Sequence, residues 1–125
     1  MKLSLPSFLL STAVVTLVAA GCATHSAAKL KSIEEIMEEG FKGKESLASR
    51  ISKGQGNDAD FALMANLTAQ LKLNHAPRGD LKSWTEKTTA LNLAAIDLVK
   101  GKTGAVVDFK SAVNCKACHS LHKPE

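Results

Sequence analysis

A chain of 125 residues has room for one domain and not for two. A mean hydropathy of −0.01 with 45% hydrophobic residues excludes both a disordered tail and a polytopic membrane protein. Three cysteines are too few for a disulfide scaffold, and the formal charge of +4 is spread over lysines interleaved with glutamates, which gives no nucleic-acid footprint. Aromatic residues make up only 4%, with no tyrosine, so a core of this size lacks the bulky side chains that usually fill it.

Residues 1–21 read as an export address. Met1-Lys2 is a short basic start, and Phe8 to Ala20 is an apolar run too short to span a bilayer comfortably. The junction Val18-Ala19-Ala20-Gly21-Cys22 resembles a bacterial lipoprotein cleavage box, in which Cys22 becomes the lipid-modified first residue. The other reading is ordinary cleavage after Ala23 or Ala27, with Cys22 discarded. Either way the expected location is periplasmic, with a membrane tether only in the first case. Loss of residues 1–21 removes one lysine and no acid, leaving a formal charge of +3. Residues 22–29 are small and polar and read as a flexible tether, in which His25 is expected in solvent. The folded domain is expected over 30–125.

From Leu30 onward the apolar spacing is helical. Leu30, Ile33, Met37, Phe41, Leu47, Ala48 and Ile51 predict a first helix ending at Gly54. Glu34, Glu35, Glu38 and Glu39 crowd its start, and Lys42, Lys44, Arg50 and Lys53 follow, which complements the helix dipole. Gly40 and Gly43 conflict with it, each costing about 1 kcal/mol against alanine. One continuous helix is expected, its glycines letting something bulky approach the backbone. Asn57 or Asp58 caps a second helix reaching about Asn74, with Phe61, Met64, Ala65, Leu67 and Leu71 on its inner face. His75-Ala-Pro-Arg-Gly-Asp80 is a turn. Asp80 or Ser83 caps a third helix, and Ser83-Trp-Thr-Glu86 has capping-box spacing. Its inner stripe is Leu81, Trp84, Thr88, Leu91, Ala95 and Leu98. After Gly101-Lys-Thr-Gly104 a fourth helix is expected from Ala105 to about His122. No segment alternates with period two. Four helices of roughly 17–23 residues with short joins predict an all-α, antiparallel up-down-up-down four-helix bundle.

The chemistry sits in the last of these: Cys115-Lys116-Ala117-Cys118-His119. Cys-x-x-Cys-His is the attachment signal for haem c, in which both thiols add to the vinyl groups and the adjacent imidazole lies beneath the iron. Two other chemistries share the residues. A thioredoxin-like dithiol needs a strand before the helix and a βαβ setting, and the sequence offers neither. A zinc site would recruit Cys115, Cys118, His119 and His122, but four ligands so close on one helix do not readily surround a tetrahedral ion. Export favours haem, because bacteria attach it outside the cytoplasm, and a macrocycle would fill the space that aromatics leave.

A helical bundle with this motif near its C-terminus resembles the class II c-type cytochromes, which include cytochrome c′ and the low-spin cytochrome c556 type. The resemblance covers about residues 30–123, and only the five-residue motif is highly specific. It implies that Cys115 and Cys118 are the thioether cysteines and His119 the proximal iron ligand. It also implies a distal position near the start of the first helix.

Geometry reaches that position independently. In an antiparallel bundle the end of the fourth helix lies beside the start of the first. His119 and Met37 then sit at depths of roughly 5 and 9 Å, at about 1.5 Å per residue. Met37 is therefore either a distal thioether ligand or an ordinary core methionine. Met64 lies about 15 Å too deep and is read as filler. Phe41 is expected to pack on the macrocycle, and Trp84 to line the pocket or donate its indole N–H to a propionate. His75 is expected in solvent, although it is the one imidazole rival to Met37. His122 is expected at the surface or beside a propionate. Lys116, Lys123 and Arg78 are expected to offset propionate charge or present a basic docking surface.

The functional expectation is a monohaem one-electron carrier with His/Met ligation and redox proteins as partners, not an enzyme. The alternative is a five-coordinate, gas-binding or sensing protein like cytochrome c′. A peroxidase would need a distal His/Arg pair, and none is convincingly placed.

Overall fold

The computed structural model describes residues 28–125; the segment read as an export address, Cys22 and most of the expected tether lie outside them. The described residues form six helices: α1 (Ile33–Gly40), α2 (Leu47–Ser52), α3 (Asp58–Leu73), α4 (Leu81–Val99), α5 (Ala105–Ala112) and α6 (Cys115–His122). Among them there is no strand, and no helix is long and apolar enough to cross a membrane.

The expected first helix is two. Ser32 opens α1 with a capping box, its hydroxyl accepting from the Glu35 N–H at 3.2 Å while the Glu35 carboxylate accepts from the Ser32 N–H at 2.7 Å. The helix stops at Gly40, the chain passes through Gly43 at φ +97°, and Ser46 caps α2. A left-handed residue followed by a fresh cap ends one helix and begins another, which the apolar spacing alone did not reveal. Gly40 does permit a close approach, since a Cβ there would lie 3.1 Å from Leu67 of α3. What it admits is the body of the bundle.

The two central helices form a hairpin. Asn57 and Asp60 make the capping box of α3, as Asn57 allowed. Asp80 rather than Ser83 caps α4, accepting from the Ser83 N–H at 2.8 Å, so the Ser83-to-Glu86 spacing goes unused. Asn92 donates to Ala65 O at 3.2 Å and to Thr68 Oγ1 at 3.0 Å, and near the turn the Trp84 indole donates to Asn74 O at 2.9 Å. Late residues of α4 thus meet middle residues of α3, and early ones meet its end: the pair is antiparallel. Leu81, expected on the inner stripe, is 66% exposed because the helix's first residue stands outside the turn. Asn92 and Ala94 are buried on α4 instead.

The expected fourth helix is also two. Val113 leaves helical geometry at ψ 72°, and the Asn114 side chain caps α6 by accepting from the Ala117 N–H at 3.0 Å. An asparagine competing locally for backbone donors restarts the helix one residue before the cysteine motif.

The core gathers Ile36, Leu47, Ile51, Met64, Leu67, Leu71, Trp84, Leu98 and Phe109. Met64 is wholly buried, as a filler should be. Helix α1 packs on α3, α2 on α3 and α5, and α4 on both α3 and α5. Helix α6 approaches only α4 among the other helices, and no Cα of α1 comes within 8 Å of one in α6. The space between those two helices is where the candidate site lies.

Candidate functional site

Because Asn114 starts α6 immediately before the motif, Cys115, Cys118 and His119 stand in its first turns at spacings of three and four, on neighbouring parts of one face. All three line a cavity of about 250 Å³. Met37 of α1, Phe41 just after it and Leu71 of α3 line it as well, together with Leu91, Ala112 and Val113. An open cleft of about 730 Å³ adjoins it, shares Met37, Phe41, Leu71, Cys118 and His119, and runs past Trp84, Pro77 and His122. The cleft's volume is in the range of cofactor sites, and the lining of both spaces is mainly apolar, as such sites are.

Within this space both cysteines are free thiols, Cys115 exposed and Cys118 half-buried. Burial pushes the Cys118 thiol above its ordinary value, with Lys87 opposing. Met37 and Phe41, one turn apart, are half-buried and face the cavity. The structure therefore brings together five residues singled out in the sequence: Cys115, Cys118, His119, Met37 and Phe41. Trp84 is buried and borders the adjoining cleft, but its indole N–H is already given to Asn74 O. The expected bond to a propionate is thus replaced by one to backbone.

Other expectations need correction. His122 is not a surface residue: it is 2% exposed, with Nδ1 3.0 Å from Arg78 O and Nε2 3.1 Å from Ser83 Oγ. Both ring nitrogens are occupied, which removes it from a zinc site. Among the described residues no three His, Cys, Asp or Glu side chains are grouped as a metal ion requires. Nor does any described strand precede the motif, so the dithiol reading lacks its scaffold. Arg78 donates to Ser120 O at 2.8 Å and pairs with Glu125 at 3.3 Å, so it braces the C-terminal end rather than the cleft. Lys123 borders the cleft, Lys116 is exposed, and His75 is exposed in the turn and lines neither space.

Compared with protein-family models, curated proteins and solved structures, the chain matches none.

Sequence reasoning missed His122, yet a signal was present. It follows Cys118 by four residues, so on a helix whose Cys118 faces inward it must face inward too.

Proposed function

We propose that the protein is a monohaem c-type cytochrome that carries single electrons outside the cytoplasm. The observation that carries this reading is the Cys-x-x-Cys-His helix lining an apolar cavity that Met37 lines as well. On this reading the helices follow an up-down-up-down course, with α1–α2 and α5–α6 as the two broken rods around the α3–α4 hairpin.

Haem c would supply the one-electron couple of its iron. Cys115 and Cys118 would hold it through thioether bonds from their Sγ atoms, and His119 would serve as the proximal ligand. Met37 is the distal candidate, its thioether on the α1 wall. Phe41, Leu71 and Leu91 keep that wall dry, which limits solvent reorganisation when the charge of the site changes. In the haem-free chain, burial disfavours the thiolate of Cys118, the form that oxidises. An export leader would place the domain in the periplasm, or at a membrane surface facing it where Cys22 carries a lipid anchor, among redox protein partners.

Replacing both motif cysteines, Cys115→Ala with Cys118→Ala, should abolish haem that survives acid-acetone extraction. Covalent haem retained in that variant defeats the proposal. Ferric and ferrous absorption spectra then test Met37: a low-spin ferric protein with the weak near-infrared sulfur–iron band, lost in Met37→Ala, is the expected result. A wild type already high-spin and five-coordinate would refute Met37 ligation and favour the gas-binding alternative.

A further inference from the structure

Eight residues cannot sustain a helix unaided. Helix α6 has that length, approaches only one other helix, and follows a break at Val113. Something must hold it in place, and its last turn shows what does.

His122 enters a receptor built by the α3–α4 turn. A carbonyl can only accept, so the contact with Arg78 O makes Nδ1 the donor, and in the neutral ring Nε2 accepts from the Ser83 hydroxyl. The Trp84 ring meets the imidazole edge-to-face, with centroids 5.4 Å apart and planes at 75°. Gly79 completes the receptor. It has φ +86°, and a Cβ there would lie 2.8 Å from His122 Nδ1 and 2.6 Å from Leu121 O. Glycine is thus required at that position by conformation and by space together. Arg78 adds a second tie from the same turn, to Ser120 O.

His119 precedes His122 by three residues and Cys118 precedes it by four, about one helical turn. A ring fixed at both nitrogens fixes the rotation of so short a helix about its axis. We infer that His122 is a positioning residue: it docks α6 on the α3–α4 turn and sets the face that Cys118 and His119 present to the cleft. The role assigned to His119 rests on the haem reading; the docking does not.

The test compares wild type, His122→Ala and His122→Asn as full chains. In the haem-free proteins, amide hydrogen exchange is followed in α6, with α3 and α4 as internal controls. Loss of two hydrogen bonds should speed exchange in α6 of His122→Ala by at least about tenfold and leave the α3–α4 hairpin unchanged. His122→Asn, which keeps a donor for Arg78 O, should recover much of the protection. In the haem-loaded proteins, His122→Ala should alter the axial-ligand bands and His122→Asn should restore them. Equal α6 exchange in wild type and His122→Ala would overturn the docking. Faster exchange with unaltered axial-ligand bands would overturn the positioning role. A wild type without covalent haem would defeat the functional reading instead, and the exchange comparison would still decide the docking.

Discussion

The α3–α4 hairpin and the α1/α6 cleft are built from the same residue types to opposite ends. In the hairpin, Met64 and Leu67 are wholly buried, both caps are made by side chains, and Thr68 and Asn92 satisfy one another and the backbone between the helices. In the cleft, two eight-residue helices stand apart, and Met37, Phe41 and Cys118 face open space while still half-exposed. Interiors are close-packed, and a gap costs its lining the contacts it would otherwise make. One region is complete as folded. The other has its packing finished, on the proposed reading, by a macrocycle.

That contrast can be broken by mutation. Leu67→Ala should cost about 2–5 kcal/mol in urea unfolding, and by the same amount with or without haem, because the cavity opens in the finished region. A haem-dependent cost would mean that the hairpin leans on the site. Asn92→Ala should cost about 1–3 kcal/mol, since it strips a buried donor from Thr68 and Ala65 O. Met37→Ala should cost only about 1 kcal/mol in the haem-free chain, because its side chain is half-buried rather than enclosed as the sequence suggested. The loaded protein should lose more. Equal costs in both forms would remove Met37 from the ligand set.

The smallest effect concerns acid. The Arg50 guanidinium and the Asn57 N–H hold the Asp60 carboxyl below the usual aspartate range, tying α2 to the start of α3. A carboxyl lowered by folding adds stability that is full above the ordinary aspartate value and is lost as pH falls through its own lower one. Melting temperature should therefore drop more steeply below about pH 4 in wild type than in Asp60→Asn. Parallel acid profiles would show that the pair contributes nothing, as exposed pairs often do.

Much of this was legible in the chain because its causes are local. Asn57 marks a helix start through its own side chain, and Cys115, Cys118 and His119 fall on one face through helical spacing alone. The split at Gly43 was visible as a conflict but not as a result, because spacing continues across a break whenever both pieces face one core. The restart at Asn114 is also local, but no glycine or proline interrupts residues 105–122 to mark the break. The partners of His122 are different in kind. Ser83 and Arg78 lie about forty residues away, so only the closed turn of α3 and α4 brings them to the ring. Trp84 was placed at the right end of the molecule, yet its N–H went to Asn74 O, a partner that exists only once the turn has formed.

Trp84 is also the chain's single tryptophan, and it is buried at the edge of the cleft. All indole emission from this protein therefore originates beside the candidate site, with no second fluorophore of its kind to dilute it. A strongly absorbing chromophore seated in the cleft would drain that excited state by energy transfer, whereas an empty cleft would leave it bright. The molecule thus carries its own optical gauge of occupancy, readable in the purified protein before any ligand is identified.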